Sequence, residues 1–485
     1  MTSSRPHPRR TLLVLTLPAL SFSLAQTMLV PAFGDLVTEL HSSVGAVTWL
    51  LTGYLVAAAV FTPLVGRLGD MFGKRLMLVL SLVAFTLGSV VSALGHDVGV
   101  VVAGRVVQGI AGGLFPLCFG IIRDEFPREK VAGSVGLISA TIGIGGGAGL
   151  LLGGVLVDAF GYASIFWLGA ACSLVSLVMI ALLVPESEVR MAGKVDLRGA
   201  AVLGAGLVLV LVAVSQGHSW GWVSPRTLAT AVAGLAVLVL WVPLQRRTAD
   251  PLVDMTVLSG RPVLLTNLST LLVGFGMFGA YVLIPQVVEA PTSTGYGLGA
   301  SATHAGLLML PGSLAMLVFG PMSGALGSRF GHRVSLATGA ALSAVGLGLL
   351  AAFHSSGPAV LGEFFVVSAG IGFAFAAMPN LILAAVPASQ TGQATGFNAV
   401  VRSVGSSVGT QVAAVVVVAS AATGSLVPRD SGYVAAFAMC AGVAVVAAVV
   451  AILVPRDTAH RHVQVGEEMG AASVLPAAAY AADPA

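Results

Sequence analysis

Apolar stretches of about 18 residues or more recur along the whole chain, and they limit the fold more than any other feature. A helix of that length crosses the ~30 Å hydrocarbon core of a bilayer. Of the 485 residues, 56% are apolar and 9% are charged, whereas a soluble protein of this size needs far more charge on its surface. The sequence therefore predicts an all-α polytopic membrane protein.

We predict fourteen membrane-spanning helices, arranged as two six-helix bundles with two inserted helices between them. The expected spans are 11–33, 44–65, 76–95, 98–121, 131–154, 162–184, 198–215, 226–243, 262–288, 303–325, 333–353, 359–383, 394–420 and 431–454. The expected units are an N-terminal segment 1–10, an N-terminal bundle 11–184, the inserted pair 198–243, a C-terminal bundle 262–454 and a tail 458–485. The tail is Ala-rich and weakly polar, so we expect it to be disordered.

The positions of lysine and arginine indicate which side of the membrane each loop faces. Nineteen of the 23 fall on one side of the predicted topology, and the exceptions are Arg105, Arg226, Arg402 and Arg429. Basic residues in short loops stay on the cytoplasmic side, so we expect both termini in the cytoplasm. Abundant Ala, Gly and Val, with far more Arg than Lys, are typical of a GC-rich bacterial genome. We therefore expect a multi-pass protein of the bacterial plasma (inner) membrane.

Several classes of protein are disfavoured by what the sequence lacks. It has no HExxH and no GxSxG, and GDMFGK is one residue short of the P-loop spacing. The three cysteines, Cys118, Cys172 and Cys440, fall inside predicted helices, which indicates buried thiols rather than disulfides or metal ligands. A net charge of +3 reflects the basic loops and gives no reason to expect nucleic acid. We therefore expect no enzymatic activity, no cofactor, no metal site and no nucleic-acid partner.

Two stretches eight spans apart are similar to each other. PLVGRLGDMFGKR, residues 63–75, follows the second predicted span, and PMSGALGSRFGHR, residues 321–333, follows the tenth; seven of thirteen positions agree. This offset fits two related bundles separated by two extra helices. Internal symmetry of this kind is typical of transporters that bind substrate between two halves.

GRLGDMFGKR resembles the signature loop between the second and third helices of the major facilitator superfamily. GRVVQGIAGG, residues 104–113, is similar to its fourth-helix arginine motif, and GGGAGLLLGG, residues 145–154, to its fifth-helix antiporter motif. With fourteen spans, the chain looks like a member of the drug:proton antiporter branch. The resemblance implies a secondary active transporter that exports lipophilic or amphipathic small molecules, such as drugs and antibiotics, by proton antiport with alternating access.

The resemblance implies that the signature loop is a conformational latch, which holds the two halves together when the protein faces outward. We expect Asp70 to lie near the positive end of the thirteenth span and near Arg123. The second copy has Ser328 in place of the acid, so a charged latch should be one-sided. The three glycines would allow a tight chain reversal. The predicted latch residues are Gly66, Gly69, Asp70, Gly73, Lys74, Arg75 and Arg123.

Candidates for proton coupling are the charged residues within predicted spans. Arg105 and Arg402 would each cost a few kcal/mol at membrane depth unless they meet water or a partner; the alternative is snorkelling to the interface. Members of the branch commonly carry an Asp in a first-helix LDxT pattern, but this chain reads LAQT with Ala25 at the acid position. We therefore predict Glu363 as the protonatable group, against the alternative of a solvated interfacial carboxylate.

The substrate cavity is predicted to be apolar with few hydrogen-bonding groups. Gln26 and Thr27 of the first span, Gln108 of the fourth, Phe278 of the ninth and Asn380 of the twelfth are the candidates to line it. Such a surface suits bulky amphipathic compounds better than sugars.

The glycine run in the fifth span satisfies a dinucleotide-binding spacing but lies in the middle of an apolar stretch, without the strand that such a motif requires. Gly145, Gly149 and Gly153 instead form two successive GxxxG patterns, and Gly154 follows them, which predicts a smooth groove for close helix packing. Leu150 stands where the family pattern carries Pro, so the bend that Pro would encourage is in doubt.

We expect the partners to be a small-molecule substrate, the proton and the lipid bilayer, and the chain to be a monomer. An exporter of an endogenous metabolite and an importer would both use the same fold. A non-transporting membrane sensor or scaffold is the alternative from another class.

Overall fold

The computed structural model describes residues 8–191, 193–421 and 428–455, and the long regular elements in these ranges are all α-helices. They are α1 (Pro8–Thr27), α2 (Phe33–Glu39), α3 (Val44–Phe72), α4 (Lys74–Leu94), α5 (Val98–Gly109), α6 (Leu114–Glu125), α7 (Arg128–Phe160), α8 (Ala163–Leu183), α9 (Leu197–Trp220), α10 (Pro225–Arg247), α11 (Met255–Ser259), α12 (Arg261–Glu289), α13 (Ala302–Phe330), α14 (His332–Phe353), α15 (Gly357–Ala385), α16 (Thr391–Ala419) and α17 (Asp430–Leu453). The predicted all-α fold is confirmed. Most of the predicted N-terminal segment and all of the predicted tail lie outside the described residues.

Thirteen spans in the described part of the chain are long and apolar enough to cross a membrane. One of them combines α5 and α6, which a 3-10 turn at Ile110–Gly113 joins. The first predicted span is not among the thirteen, because α1 is only 20 residues long and carries Arg9 and Arg10 in its first turn. Thirteen of the fourteen predicted spans are thus confirmed by length and hydropathy, and α1 is a shorter, more polar helix.

Two predicted spans are interrupted. The prediction of one helix over 11–33 was wrong, since the chain turns after Thr27 and resumes as α2. Pro31 lies in that turn, where its ring disfavours helical geometry in the preceding residue. The prediction over 98–121 missed the 3-10 turn, which contains Gly112 and Gly113, residues of low helix propensity.

The segment predicted as the signature loop is almost entirely helical. α3 continues through Gly66 and Gly69, and Gly73 alone separates it from α4. Gly73 has φ 119°, a conformation that side chains rarely adopt, and Gly331 has φ 91° at the matching point between α13 and α14. Both copies of the repeat therefore form the same helix–glycine–helix junction. A reversal at Gly66 and Gly69 was a wrong prediction.

Polar residues mark where many helices begin, because the first N–H groups of a helix lack partners within it. In each case a side-chain oxygen accepts a backbone N–H two or three residues ahead. These N-cap residues are Ser43, Asp97, Asp196, Ser224, Asp254, Ser301 and Ser356.

Buried apolar clusters divide the helices into two groups and attach the inserted pair. One cluster contains residues of all the helices from α12 through α17, and another contains residues of α1, α3, α4, α6, α7 and α8. A third packs Leu203, Leu207 and Leu211 of α9 and Trp241 of α10 against α3 and α16, where it includes Ala59 and Val400. The inserted pair therefore contacts one helix from each group.

Candidate functional site

A cavity of about 760 Å³ lies between α1, α3 and α7 on one side and α12, α13, α15 and α16 on the other. Its wall reaches the end of the molecule where α3 begins and α12 ends, which we call the Glu289 side. Gln286 and Glu289 line it there and are exposed. We call the opposite end, where α3 ends and α16 begins, the Asp70 side. The cavity is thus a pocket between the two helix groups that is accessible from the Glu289 side.

The cavity wall is mainly apolar and carries one ionisable carboxylate among its described residues, Glu289. None of the described lining residues is Lys, Arg or His. Its polar groups are Ser23, Gln26, Thr27, Thr48, Thr52, Ser215, Tyr281, Gln286, Glu289, Thr410 and Gln411. A large apolar pocket with scattered hydrogen-bonding groups suits bulky amphipathic ligands.

Three of the five predicted cavity residues line the pocket, namely Gln26, Thr27 and Phe278. Gln108 and Asn380 do not, and their placement there was wrong because each is buried in helix packing. Gln108 accepts a hydrogen bond from Arg105 and donates one to Ser89 Oγ at 2.6 Å.

Asn380 instead joins the two helix groups on the Asp70 side. Its Nδ2 donates to the backbone oxygen of Ala132 on α7 at 3.2 Å and to that of Ala376 in its own helix at 2.8 Å. A polar side chain in an apolar span can therefore stabilise helix packing without lining the substrate cavity.

Sequence reasoning missed Tyr281, Gln286, Gln411 and Ser215. Tyr281 lines the cavity and packs edge-on against Phe364, with ring centroids 5.4 Å apart. None of these residues belongs to a motif. In spans that are apolar all round, sequence periodicity does not tell which face points inward.

Asp70 connects the two helix groups on the Asp70 side. Its carboxylate is fully buried and accepts the backbone N–H groups of Gly392 at 3.0 Å and Gln393 at 2.9 Å. These N–H groups lie in the first turn of α16, where the helix dipole is positive. Gly66 lies one turn earlier, and a Cβ built there would collide with the Gly392 carbonyl. The predicted position of Asp70 at the start of the thirteenth span is confirmed.

Arg123 supplies a second connection on the same side. Its guanidinium donates to the backbone oxygens of Val386 at 2.7 Å and Pro387 at 3.2 Å, and to Thr391 Oγ1 at 2.8 Å. These acceptors belong to the junction between α15 and α16. By contrast, Ser328 in the second repeat is exposed and bonds within α13.

Lys74 is buried with two acidic partners. Its Nζ lies 2.7 Å from Asp124 Oδ2 and 4.0 Å from Asp70 Oδ1. A buried ammonium requires such pairing, because desolvation of an unpaired charge costs several kcal/mol. Gly69 and Gly120 leave room for this arrangement, since a Cβ on Gly69 would collide with Leu117 and one on Gly120 would lie 2.6 Å from the Lys74 side chain.

The segments that follow α8, residues 184–191 and 193–196, cover this cluster, and we call them the α8–α9 linker. Glu186 accepts the backbone N–H groups of Arg75 and Leu76, each at 3.0 Å, and Met191 N–H donates to the Asp70 carbonyl at 2.7 Å. The Arg75 guanidinium donates to the Ala181 carbonyl at the end of α8. The linker therefore provides hydrogen-bond partners for backbone groups at the end of α3 and the start of α4.

Arg105 is buried without an acidic partner among the described residues. Its guanidinium donates to the carbonyls of Leu50 at 3.1 Å and Ala25 at 3.2 Å and to Gln108 Oε1 at 2.8 Å. It also lies over the Tyr54 ring, 4.2 Å from the centroid. It does not snorkel, and at the position of Ala25, where the family pattern has an acid, it meets a backbone oxygen.

The other two proton-coupling candidates occupy different surroundings. Arg402 lies over the ring of Phe375, 4.8 Å from its centroid, and Phe375 lines the cavity. Glu363 is buried in α15, and its Oε2 has no hydrogen-bond partner among the described residues. Neither Glu363 nor Arg402 is part of the cavity wall. His354 is the charged side chain that acts electrostatically on Glu363.

The glycine run of α7 packs against α1. A Cβ on Gly145 would collide with Ser23, one on Gly149 with Thr27, and one on Gly153 with the Met28 carbonyl. Thr27 Oγ1 donates to the Gly145 carbonyl. The predicted packing groove is therefore occupied by α1. Gly154 lies at its edge, since a Cβ there would be 3.9 Å from Pro31.

The sequence matches the family description "Major Facilitator Superfamily" over residues 15–410 and 266–484. It is 28% identical to the tetracenomycin C resistance and export protein of Streptomyces glaucescens, over 84% of this chain and 76% of that one. It is 30% identical to the multidrug resistance protein B homolog of Mycobacterium tuberculosis, over 65% of this chain and 58% of that one.

A solved structure shares the fold. The human organic anion transporter MFSD10 (TETRAN) matches with a TM-score of 0.64 at 18% identity, over 92% of this chain and 100% of that one. At this identity the likeness concerns the fold alone. Together with the sequence match, it shows that the chain belongs to the major facilitator superfamily of membrane transporters.

Proposed function

We propose that this protein exports amphipathic small molecules, antibiotics among them, in exchange for protons. The cavity carries the proposal: it has a volume of about 760 Å³, a mainly apolar wall and, among its described lining residues, a single carboxylate, Glu289, near its opening. Such a pocket can bind large ring systems by apolar contact while a few amides and hydroxyls orient them. The names of the two relatives, one for tetracenomycin C export and one for multidrug resistance, support this substrate class.

The asymmetry of the cavity supports alternating access. It is accessible from the Glu289 side, whereas Asp70, Arg123 and Asn380 bridge the two helix groups on the Asp70 side. The lysine and arginine residues of the short loops favour a cytoplasmic location for the Asp70 side and both termini. The membrane would be the plasma membrane of a bacterium. In that orientation the structure is an outward-open state. Opening to the cytoplasm would separate Asp70 from α16 and Arg123 from the α15–α16 junction.

Proton coupling is proposed to use Glu363. Glu363 is a buried carboxylate whose Oε2 has no hydrogen-bond partner among the described residues, so it can bind a proton without breaking a contact. Loss of that proton toward the other side would then favour a different packing of α15. Arg105 and Arg402 contribute fixed positive charge within the two helix groups, and we propose that they respond to the same protonation.

Transport by cells that lack their own efflux pumps tests the proposal. We expect expression to raise resistance to a panel that includes tetracenomycin C and ethidium, and a protonophore to abolish the gain. Asp70→Asn protein, which we expect to be inactive, is the control at equal membrane abundance. Resistance that persists without a proton gradient would contradict the antiport mechanism. Accumulation of a compound instead of resistance would favour an importer, and no effect on any compound would favour an exporter of an endogenous metabolite or a non-transporting role.

A further inference from the structure

The inserted helices α9 and α10 cover the seam between α3 and α16. Trp241 of α10 stacks on Phe397 of α16, with centroids 6.2 Å apart and an interplanar angle of 6°. On the other flank, a Cβ built on Gly204 of α9 would lie 3.0 Å from Val60 of α3. The pair therefore lies across a boundary between the two helix groups.

The seam is closed on the Asp70 side and separates toward the Glu289 side. A Cβ on Gly396 of α16 would lie 3.0 Å from the Thr62 carbonyl of α3, so the two backbones almost touch there. Nearer the Glu289 side, Leu55 of α3 and Thr410 of α16 both face the cavity. Ser215 of α9 also lines the cavity at this point.

A hydrogen bond ties this part of α9 to α3. Ser215 Oγ and Thr52 Oγ1 are 2.7 Å apart, and both residues line the cavity. Each hydroxyl is one donor and accepts through two lone pairs. Their mutual bond therefore leaves hydrogen-bonding capacity for a third group in the cavity.

We propose that α9 is a wall of the substrate cavity and that the Ser215–Thr52 hydroxyl pair binds a polar group of the substrate, such as a carbonyl or phenol. The proposal deepens the proposed function and rests on it. It gives the inserted helices a direct role in substrate recognition. By filling the gap between α3 and α16, α9 keeps lipid chains out of the outward-open cavity. It also contributes the Ser215 hydroxyl to the cavity wall.

Thiol labelling in intact cells tests the wall. Cys118, Cys172 and Cys440 are the three native cysteines, and their replacement by alanine provides the background. In it, Ser215→Cys should react with a membrane-impermeant, positively charged methanethiosulfonate at least tenfold faster than Val232→Cys. Val232 is the matched control because it lies on α10, is 64% exposed and does not line the cavity. Equal labelling rates at the two positions would overturn the proposal.

Protection tests contact with substrate. Saturating ethidium or tetracenomycin C, whichever the unmodified protein exports, should slow labelling of Ser215→Cys at least threefold, as it does for Gln26→Cys in the same cavity. Protection of Gln26→Cys without protection of Ser215→Cys would overturn the contact. If the unmodified protein exports neither compound, the proposed function fails for these compounds, whereas the labelling contrast with Val232→Cys still decides whether α9 is a wall.

A bulky substitution gives an independent readout. Ser215→Trp should lower export of the larger compounds at least tenfold, and Val232→Trp should leave it unchanged, at equal abundance of both proteins in the membrane. Export by Ser215→Trp at the rate of the unmodified protein would contradict a recognition role for α9.

Discussion

Asp70 Oδ2 accepts the backbone N–H of Gln393 at 2.9 Å, so a buried carboxylate on α3 caps the N-terminus of α16. The interaction combines two hydrogen bonds with the attraction between a negative charge and the positive end of a helix. It links helices from opposite groups, and the proposed alternating-access cycle requires it to break when the Asp70 side opens. Under that proposal, the strength of this contact contributes to the balance between the two access states.

Replacing Asp70 by Asn should reduce transport at least tenfold without lowering membrane abundance. The amide keeps one acceptor oxygen but loses the negative charge. Its NH₂ group cannot accept a hydrogen bond, so one of the N–H groups of Gly392 and Gln393 loses its acceptor. Initial rates of export, normalised to protein in the membrane, measure the effect. Ser328→Asn is the matched control, because Ser328 occupies the same position in the second repeat and is exposed. Equal rates for the two variants would show that Asp70 is not a latch.

The sequence predicted where most helices lie and that Asp70 meets the start of α16, but it did not predict most of the cavity wall. The repeat identified both helix–glycine–helix junctions, although α3 extends through Gly66 where a loop was expected. Hydropathy locates a span but does not fix its rotation, so Gln108 and Asn380 were placed in a cavity that Tyr281 and Gln411 in fact line. Such rotations depend on packing between helices distant in sequence.

The α8–α9 linker was likewise invisible in the sequence. It has no motif, and its contacts with the latch are largely made by backbone atoms and by Glu186. Backbone hydrogen bonds do not restrict residue type in a way that a single sequence reveals. Only the folded chain brings Met191 to the carbonyl of Asp70.

Replacing Glu186 by Ala should lower the free energy of unfolding by about 1 kcal/mol, the typical value of a helix N-cap. Glu186 accepts the N–H groups of Arg75 and Leu76 in the first turn of α4, which Gly73 cannot cap with a side chain. Denaturant unfolding of the purified protein in detergent micelles measures the change. Glu188→Ala is the control, since Glu188 lies two residues away and is exposed. Equal stability of the two variants would mean that the linker does not cap α4.

Replacing Gly149 by Ala should impair transport and cost about 1–3 kcal/mol of stability, as overpacking does in other close contacts. The added methyl group would collide with Thr27 Oγ1 and would lie 3.2 Å from the Leu24 carbonyl. α1 would have to move away from α7, which also displaces the cavity residues Gln26 and Thr27. Export rate and thermal unfolding temperature in detergent are the measurements.

Gly133→Ala is the control for that substitution. Gly133 lies in the same helix and does not line the cavity, and its added methyl group would meet no atom within 4 Å. We expect this variant to transport normally. If Gly149→Ala also transported normally, close packing of α7 on α1 would not be required for the transport cycle.

Replacing Glu363 by Gln should uncouple transport from the proton gradient. The two side chains have nearly the same shape, but glutamine cannot bind and release a proton, so the buried site would stay in its neutral form. In proteoliposomes, we expect exchange of labelled substrate for unlabelled substrate to continue, and uptake driven by an imposed pH gradient to fall at least tenfold. Asp158→Asn, which alters an exposed carboxylate near the end of α7, should leave both rates unchanged. Gradient-driven uptake by Glu363→Gln at the normal rate would assign proton coupling to another group, with Glu289 in the cavity wall the next to test.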